Sequence, residues 1–294
     1  MTESPVPALH ADVQLFAEAV NFTAARTGFN PRLIEKDYFC TLLLAQLFRC
    51  VSDRLVFKGG TCLAKVHAGF YRLSEDLEFM VPLAGDATRG ARRAAIEPIR
   101  AAVAGVHERV DVFKVAVQLD GANLSTQCNG AVEYQSPTTG ESESILIEVS
   151  LRELLLRPVK RGAARTLLLD PIDGVAAVPE IEVSCIALEE AMAEKFRAAL
   201  SRREVAIRDF YDLDHAVRHL GLDPLDVSLV SLVRQKLSVR GTPPVDVGGR
   251  RLEELRRQLE ARLRPVLRDV EYEAFDLERA ISIVMAMATR TAAR

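Results

Sequence analysis

The segment from residue 54 to residue 82 constrains the fold of this chain more than any other. The short apolar run Arg54-Leu55-Val56-Phe57 leads into Gly59-Gly60, which predicts a strand that enters a tight turn. A helical pattern, TCLAKVHAGF, follows the turn, and a second strand-like run, LEFMVP, occupies residues 77 to 82. The core unit is therefore predicted to be a strand, a Gly-Gly turn, a helix and a strand.

This unit brings polar groups to the turn. Two consecutive glycines let the backbone approach a phosphate closely and leave amide groups free to bind it. The N-terminus of the following helix adds partial positive charge, and Thr61 offers a hydroxyl at the same place. Asp76 and Glu78 flank Leu77 at the start of the second strand, where alternation puts both carboxylates on one face and Leu77 in the core.

The paired carboxylates indicate a cation site. They repel each other unless a cation lies between them, and Mg²⁺ both meets that need and bridges a triphosphate to a protein. Glu148, isolated in the apolar run Ile145–Val149, is the natural third ligand. Each feature alone has a plainer interpretation, namely an ordinary turn, a solvated strand edge and a water-facing glutamate. Their order along the chain favours the phosphate and metal interpretation.

The remaining pattern predicts an α/β half followed by a helical half. Strand-like runs at 110–119 and 145–149 flank a stretch rich in Gly, Ser, Thr and Asn, 120–144, which is typical of a hairpin or loop. The boundary lies between about residues 175 and 187, and the pattern is helical from there onward. Helices are predicted at 8–28, 32–50, 91–106, 187–203, 208–221, 226–237, 250–267 and 275–290.

Composition excludes several classes of protein. With 49% hydrophobic and 27% charged residues the chain has globular usage rather than that of a disordered protein. A net charge of −3 argues against a wholly basic nucleic-acid binder, although basic stripes occur at 160–165 and 250–268. The five cysteines include no CxxC pair, which argues against a zinc site or a disulfide framework. No membrane span or signal-peptide pattern is found, so a cytoplasmic location is expected.

Five motifs occur in a characteristic order. They are Glu35-Lys36-Asp37 beside a Leu-rich helix, FKGGTCLAK, RLSEDLEF, EEAMAEKFRAALSRR and RDFYDL. Together, over roughly residues 33 to 220, they resemble the AbiEii/AbiGii nucleotidyltransferase toxins of the polymerase-β superfamily. The resemblance implies an α+β fold, with a polymerase-β-like nucleotidyltransferase core of mixed sheet and flanking helices at 1–186. A helical C-terminal domain at 187–294 would contribute Lys195 and Asp212 to the site.

The resemblance also implies roles for individual residues. One position departs from the family's pattern, because the second metal ligand is usually Asp and this chain has Glu78, which leaves the metal preference open. Carried over by position, the roles are a phosphate-binding turn at Gly59, Gly60 and Thr61, metal ligands at Asp76, Glu78 and Glu148, a basic residue at Lys195, and an acidic segment at Asp209 and Asp212.

Further residues near these motifs are candidates for the same site. Lys195 would neutralise charge on the leaving pyrophosphate, although a salt-bridged surface helix explains its surroundings equally well. Asp212 is favoured over Asp209, which is also placed to cap its helix. The secondary candidates are Lys58 and Lys65 for phosphate charge, Arg72 for phosphate, Ser74 for nucleotide binding or for regulatory modification, and Glu190 as an additional acidic group.

The resemblance implies a reaction and its partners. The expected reaction transfers an NMP from an NTP to an acceptor, foremost a tRNA 3′ end, with Mg²⁺ or alternatively Mn²⁺, as the toxin of a toxin–antitoxin pair. The antitoxin would be encoded nearby and would form no stable complex. The helix at 250–268 either tracks tRNA phosphates or is a surface helix of Glu/Arg pairs. The alternative functions are nucleotidylation of a protein or small molecule, and a non-catalytic nucleotide- or partner-binding module.

Overall fold

The chain divides into two compact units, Met1–Ile186 and Ala187–Arg294. The first unit combines a β-sheet with helices, and the described residues of the second form helices joined by turns. None of the described helices is both long enough and apolar enough to cross a membrane. The structure is a computed structural model that describes residues 8–52, 54–84, 86–122, 126–152, 155–239 and 241–292.

A mixed sheet organises the first unit. Its described strands are β1 (Val56–Lys58), β2 (Leu77–Met80), β3 (Phe113–Ala122), β4 (Gln127–Gln135), β5 (Ser142–Ser150), β6 (Lys160–Ala164) and β7 (Ile181–Cys185). They lie side by side in the order β3-β4-β5-β2-β1-β7-β6. The pairs β2–β5 and β1–β7 are parallel, and the other neighbouring pairs are antiparallel. The short central strands β1 and β2 are therefore flanked on both sides by other strands.

The helices of the first unit begin and end where the sequence provides caps. Asp12 accepts a hydrogen bond from the Leu15 amide at 3.0 Å, and the first helix ends at Gly28 with a φ of 79°. Asn30 caps the next helix and Pro31 begins it, one residue before the predicted start at residue 32. The helices are α1 (Val13–Thr27), α2 (Pro31–Val51), α3 (Gly59–Cys62), continued by a π turn (Leu63–His67), and α4 (Arg89–Ala104).

One face of the central strands is the core. Phe57 pairs in register with Phe79, and both side chains are fully buried, with ring centroids 5.6 Å apart. Phe48 of α2 lies 6.3 Å from Phe79, so α2 covers this face. Because strand side chains alternate between faces, the neighbouring positions Lys58 and Glu78 emerge on the opposite, half-open face.

Helix α2 carries charged side chains inside the protein. Lys65, in the π turn, is fully buried, and its Nζ donates to Asp37 Oδ1 at 2.5 Å and to Thr41 Oγ1 at 2.6 Å. The other carboxylate oxygen of Asp37 accepts from the Leu167 amide at 2.8 Å. A buried ion pair is tolerated only when its remaining polar atoms are satisfied, and here they are. The pair therefore joins α2, the π turn and the segment that follows β6.

Several predicted elements differ from those observed. The predicted helix at 61–70 begins at Gly59 and ends at His67, the last five residues forming a π turn. The region 120–144 is mostly strand, since β3 extends to Ala122, β4 follows and β5 starts at Ser142; residues 123–125 lie outside the described residues. Strands β6 and β7 were not predicted. The sequence of β6, KRGAA, has no apolar alternation. In the described part of the sheet, β6 is an edge strand that pairs only with β7.

The described residues of the second unit form helices. The first of these helices lie close to the spans predicted from the sequence. The predicted helix at 250–267 is interrupted by a π turn (Leu259–Leu263) and a 3₁₀ turn (Arg264–Val266) that contains Pro265, which lacks an amide donor. The helices are α5 (Leu188–Ser201), α6 (Ile207–His219), α7 (Val227–Leu237), α8 (Gly249–Gln258), α9 (Asp269–Ala274) and α10 (Leu277–Ala292).

We predict that Asp37→Ala destabilises the first unit strongly. The substitution leaves the Lys65 ammonium buried without its carboxylate, which costs about 3–5 kcal/mol. Urea unfolding followed by circular dichroism measures the effect. The control is Glu182→Ala, which removes the exposed Arg161–Glu182 pair, 3.4 Å long. Such a surface pair contributes about 0–1 kcal/mol. Equal losses for the two variants would contradict the role of the buried pair.

Candidate active site

Four polar residues form a row across the centre of the sheet. Lys58 of β1 is the Cα partner of Glu78 in β2, and Glu78 is the partner of Glu148 in β5. Glu148 is in turn the partner of Asn129 in β4. Residues directly opposite each other on neighbouring strands point to the same face, so this polar row occupies the half-open face. Asp76, two residues before Glu78, lies where β2 begins.

The polar row contains two acidic side chains, Glu78 and Glu148, and one basic side chain, Lys58. Adjacent strands lie about 4.8 Å apart, which places the backbones of Glu78 and Glu148 at that spacing. Lys58 Nζ lies 3.9 Å from Glu78 Oε2, which is an ion pair rather than a hydrogen bond. The polar row therefore offers two carboxylates as possible metal ligands, and Asp76 at the start of β2 offers a third. Hard oxygen ligands of this kind suit Mg²⁺, so the residues present fit such an ion.

Glycine is required at residue 59 for two independent reasons. Its φ of 76° lies in the left-handed region that residues with a side chain rarely adopt. A Cβ atom at this position would also lie 2.3 Å from Oε1 and 2.5 Å from Cδ of Glu78. The Glu78 carboxylate therefore packs directly on the backbone of the turn, so the candidate metal ligand and the candidate phosphate-binding turn are in contact.

Arg72 and Ser74 lie over the second glycine of the turn. A Cβ at Gly60 would lie 2.6 Å from Arg72 Nη2 and 3.0 Å from Ser74 Oγ. The Arg72 side chain is buried, and its Nη1 donates to the Leu73 carbonyl at 3.1 Å. A guanidinium held against a Gly-Gly backbone presents positive charge where the glycine amides would bind a phosphate. The structure thus brings both residues to the turn.

Thr61 connects the turn to the strand that carries the acidic pair. Its Oγ1 donates to the backbone carbonyl of Asp76 at 2.5 Å. The hydroxyl proton is thereby directed at the protein, and the bond holds the start of β2 against the start of α3. Thr61 is buried, so its observed contact positions Asp76, which the sequence did not indicate.

Lys65 does not join this cluster. It was predicted to add charge to a bound triphosphate, but its ammonium is fully buried among Asp37, Thr41 and the carbonyl of Arg165. The π turn directs the side chain inward, so the prediction of a phosphate contact for Lys65 is not supported.

The helical unit contains its own charged cluster. Lys195 Nζ on α5 lies 2.7 Å from Asp209 Oδ1 and 2.8 Å from Asp212 Oδ2, both on α6. Asp212 is almost fully buried, and Oδ2 of Asp209 is buried without a hydrogen-bond partner. The structure therefore brings together the three residues that the sequence singled out in this unit. Their predicted part in catalysis stays a prediction.

Glu190 has a structural partner instead. Its carboxylate is fully buried and lies 2.7 Å from Nζ of Lys236 on α7, which also contacts Glu194 at 3.0 Å. The observed role of Glu190 is to join α5 to α7.

The arginine-rich helix of the second unit is largely paired with acids. Arg256 contacts Glu278 at 2.7 Å, and Arg251 is buried, where it donates to the carbonyls of Ala199 and Arg202. Further pairs are Arg257–Glu254, Arg264–Glu260 and Arg268–Glu271. Of the two interpretations of this helix, the structure favours the surface helix of Glu/Arg pairs.

Asn129 is the member of the polar row that sequence reasoning missed. It lies in the stretch assigned to hairpin or loop, and its side chain accepts from Gln127 Nε2 at 3.1 Å. Only the register of β4 against β5 places it beside Glu148. The sequence could have indicated Asn129 only if β4 had been predicted as a strand.

We predict that Gly59→Ala is more damaging than Gly140→Ala. Both glycines have nearly the same positive φ, 76° and 75°, but a Cβ at Gly140 meets nothing within 4 Å. Gly140→Ala should therefore cost about 1–2 kcal/mol from backbone strain alone. Gly59→Ala should cost more, because the Glu78 carboxylate must move. Urea unfolding of both variants measures the difference, and equal costs would show that Glu78 does not pack on the turn.

Comparison with known proteins identifies the family. The profile of the family described as nucleotidyl transferase AbiEii toxin, type IV TA system, matches residues 43–282. Curated proteins provide no significant match to the chain. A structure of JHP933 from Helicobacter pylori has 15% identity and a TM-score of 0.50, and the alignment covers 90% of this chain and 94% of that one. A candidate nucleotidyltransferase from the same organism also has 15% identity, with a TM-score of 0.49 and coverage of 85% and 92%.

The family match spans most of the chain and includes the polar row, the Gly-Gly turn and the charged cluster of α5 and α6. The similarity to the JHP933 structure indicates a shared fold, which in this chain is a mixed sheet with helices followed by a helical unit. The chain therefore belongs to the AbiEii family of nucleotidyltransferase toxins of type IV toxin–antitoxin systems.

Proposed function

We propose that this nucleotidyltransferase moves an NMP from an NTP to an RNA acceptor, a tRNA 3′ end, at the Gly-Gly turn and the polar row. The observation that carries the proposal is the contact between Gly59 and the Glu78 carboxylate. It joins a turn suited to phosphate to an acidic group suited to a divalent cation. Triphosphate and metal must lie together in nucleotidyl transfer.

The residues of the turn would hold the triphosphate. The backbone at Gly59 and Gly60 admits a phosphate closely, because neither residue has a side chain to exclude it. Arg72 Nη2 lies beside Gly60, where its guanidinium would offset charge that develops on the departing pyrophosphate. Ser74 Oγ, at the same glycine, would hydrogen-bond a phosphate oxygen. A phosphoryl group on Ser74 would occupy that place, which offers a route of regulation.

The acidic residues would hold the ion. Asp76, Glu78 and Glu148 would supply the oxygen ligands for Mg²⁺, or for Mn²⁺ in its place. The chemistry such an ion supplies when bound is polarisation of the α-phosphate and a lower pKa of the attacking hydroxyl. Lys58, paired with Glu78 at 3.9 Å, would limit the repulsion between carboxylates before the ion binds. The longer Glu78 side chain, where the family usually has Asp, reaches over Gly59.

A pocket lined by arginines supports an RNA acceptor. It has a volume of about 510 Å³ and is lined by four arginines of α4, Arg89, Arg92, Arg93 and Arg100, together with Gly121 and Leu151. Four guanidinium groups around one pocket concentrate positive charge, and guanidinium groups bind phosphate oxygens well. A tRNA carries phosphates far from its reacting end, so contacts beyond the polar row are expected.

Toxin–antitoxin pairing follows from family membership, and its details are part of the proposal. We propose that the antitoxin is encoded beside this chain and neutralises it without a stable complex. Nucleotidylation of a protein or small molecule is the alternative that the same turn and polar row would permit. A non-catalytic binding role is the other alternative.

The first experiment incubates the full chain with total tRNA, Mg²⁺ and each α-labelled NTP in turn. Label should enter tRNA, and Asp76→Asn should reduce transfer at least about 100-fold. This follows because a metal contributes several kcal/mol and each ~1.4 kcal/mol is a factor of ten. The control, Glu141→Gln, changes an exposed carboxylate in the turn before β5 and should leave transfer unchanged.

Two further variants test the second metal position. Glu78→Gln should abolish transfer, whereas Glu78→Asp should retain measurable transfer because it keeps the oxygen ligands. Label in protein instead of RNA would favour the alternative acceptor. No label with either Mg²⁺ or Mn²⁺ would contradict the enzymatic proposal.

We predict that the arginine pocket contributes to salt-dependent RNA binding. Filter binding of tRNA to Arg93→Ala should give a log–log salt slope that is smaller by about 0.7–0.9, the value for one lost phosphate contact. Arg257→Ala is the matched control, since Arg257 pairs with Glu254 on the same helix at 3.5 Å. An unchanged slope for Arg93→Ala would remove the pocket from the RNA-binding surface.

A further inference from the structure

Two cysteines and a histidine that are far apart in the sequence meet behind the Gly-Gly turn. The sulfurs of Cys62 and Cys185 and a ring nitrogen of His67 all lie within 4.8 Å of one another. These three form a group whose ligand atoms are close enough together to share one metal ion. Both sulfurs are unoxidised and both cysteines are buried, whereas His67 is half-buried.

The backbone builds this cluster from three directions. Cys62 ends α3, His67 ends the π turn, and Cys185 ends β7 as the Cα partner of Phe57 in β1. In an α-helix, positions five apart point about 140° away from each other, at 100° per residue. The wider π turn, closed by the hydrogen bond from the Ala68 amide to the Leu63 carbonyl, reduces that angle. The π turn therefore lets Cys62 and His67 serve one site.

One ring nitrogen of His67 is already held. Nε2 lies 3.0 Å from the carbonyl oxygen of Ile186, a contact that favours the tautomer with the proton on Nε2 and a lone pair on Nδ1. A backbone carbonyl that accepts from one nitrogen, while the other binds a metal, is the usual support of a histidine ligand. A ring nitrogen of His67 also lies within 4.8 Å of both sulfurs, as one ligand of a shared ion would.

Neighbouring residues leave room for the sulfurs. Gly162 of β6 lies beside Cys185, and a Cβ there would lie 3.1 Å from its Sγ and 2.5 Å from Val66 Cγ1. Cys185 is also a hydrogen-bond partner of both Cys62 and His67, so the three side chains contact one another.

We propose that Cys62, His67 and Cys185 bind one Zn²⁺ ion, a site separate from the Mg²⁺ ligands of the proposed function. Two sulfurs and one nitrogen are a ligand set typical of zinc and unsuited to Mg²⁺. Binding releases the thiol protons to solvent, and the fourth tetrahedral position is open to water or a small ligand. The ion would tie α3 and the π turn to β7. It would thereby stiffen the Gly-Gly turn from behind.

Cobalt substitution tests the site without measuring activity. The reduced, metal-free full chain is titrated with Co²⁺, and thiolate-to-cobalt charge-transfer absorption in the near ultraviolet is recorded. We expect saturation at one Co²⁺ per chain, displacement by Zn²⁺, and loss of the band in Cys185→Ser and Cys62→Ser. Cys128→Ser is the matched control, because Cys128 is also buried in the sheet but lies outside the cluster, and it should keep the band.

A second measurement needs no variant. Zinc-edge X-ray absorption of the wild-type chain loaded with one equivalent of Zn²⁺ should show two sulfur ligands and at least one nitrogen. A shell of oxygen and nitrogen alone, or a cobalt band that persists in Cys185→Ser, would overturn the proposal. The proposal would also be overturned if air oxidation forms a Cys62–Cys185 disulfide and the fully reduced chain still binds no metal. The cobalt band and the zinc-edge spectrum do not depend on nucleotidyl transfer, so they should be the same in Asp76→Asn as in the wild-type chain. The zinc proposal and the proposed function can therefore be contradicted independently.

Discussion

The buried ion pair between Asp37 and Lys65 is the interaction on which the rest of the first unit depends. It reaches from α2 to the π turn, and the second oxygen of Asp37 binds the Leu167 amide beyond β6. A charge so deep in a protein is stable only with every partner in place. The pair therefore fixes the direction in which the chain leaves the Gly-Gly turn. Both the polar row in front of that turn and the sulfur cluster behind it rely on this direction.

The polar row brings together side chains that are far apart in the sequence. Glu78 and Glu148 are neighbours because β2 and β5 are parallel and in register. Their backbones lie at strand spacing, with Lys58 on one side and Asn129 on the other. A divalent cation would relieve the repulsion between two neighbouring carboxylates. In the proposed transfer, the contact of Glu78 with Gly59 would bring cation and phosphate to one place.

Many charged side chains of the helical unit form ion pairs with other side chains of the same unit. Lys236 joins Glu190 to Glu194, and the arginines of α8 and the turns after it contact acids within a few residues or on α10. Such pairs add little stability individually when exposed, but they reduce the unpaired positive charge available for RNA. The arginines of α4 differ, because Arg89, Arg92, Arg93 and Arg100 together line one pocket. Runs of positive charge in the sequence therefore did not indicate this pocket, which is the surface proposed to bind phosphate.

The sequence by itself determined the local events: the helix break at Asn30-Pro31, the strand that ends in Gly59-Gly60, the burial of Leu77 and the helical character after residue 187. These depend on backbone preferences and on periodicity within a few residues, which a sequence displays directly. Only the tertiary structure decided that Lys65 turns inward, that Asn129 stands beside Glu148 and that Cys62 meets Cys185. Those outcomes depend on strand register and on a π turn, which bring distant residues together and leave no periodic signal in the sequence.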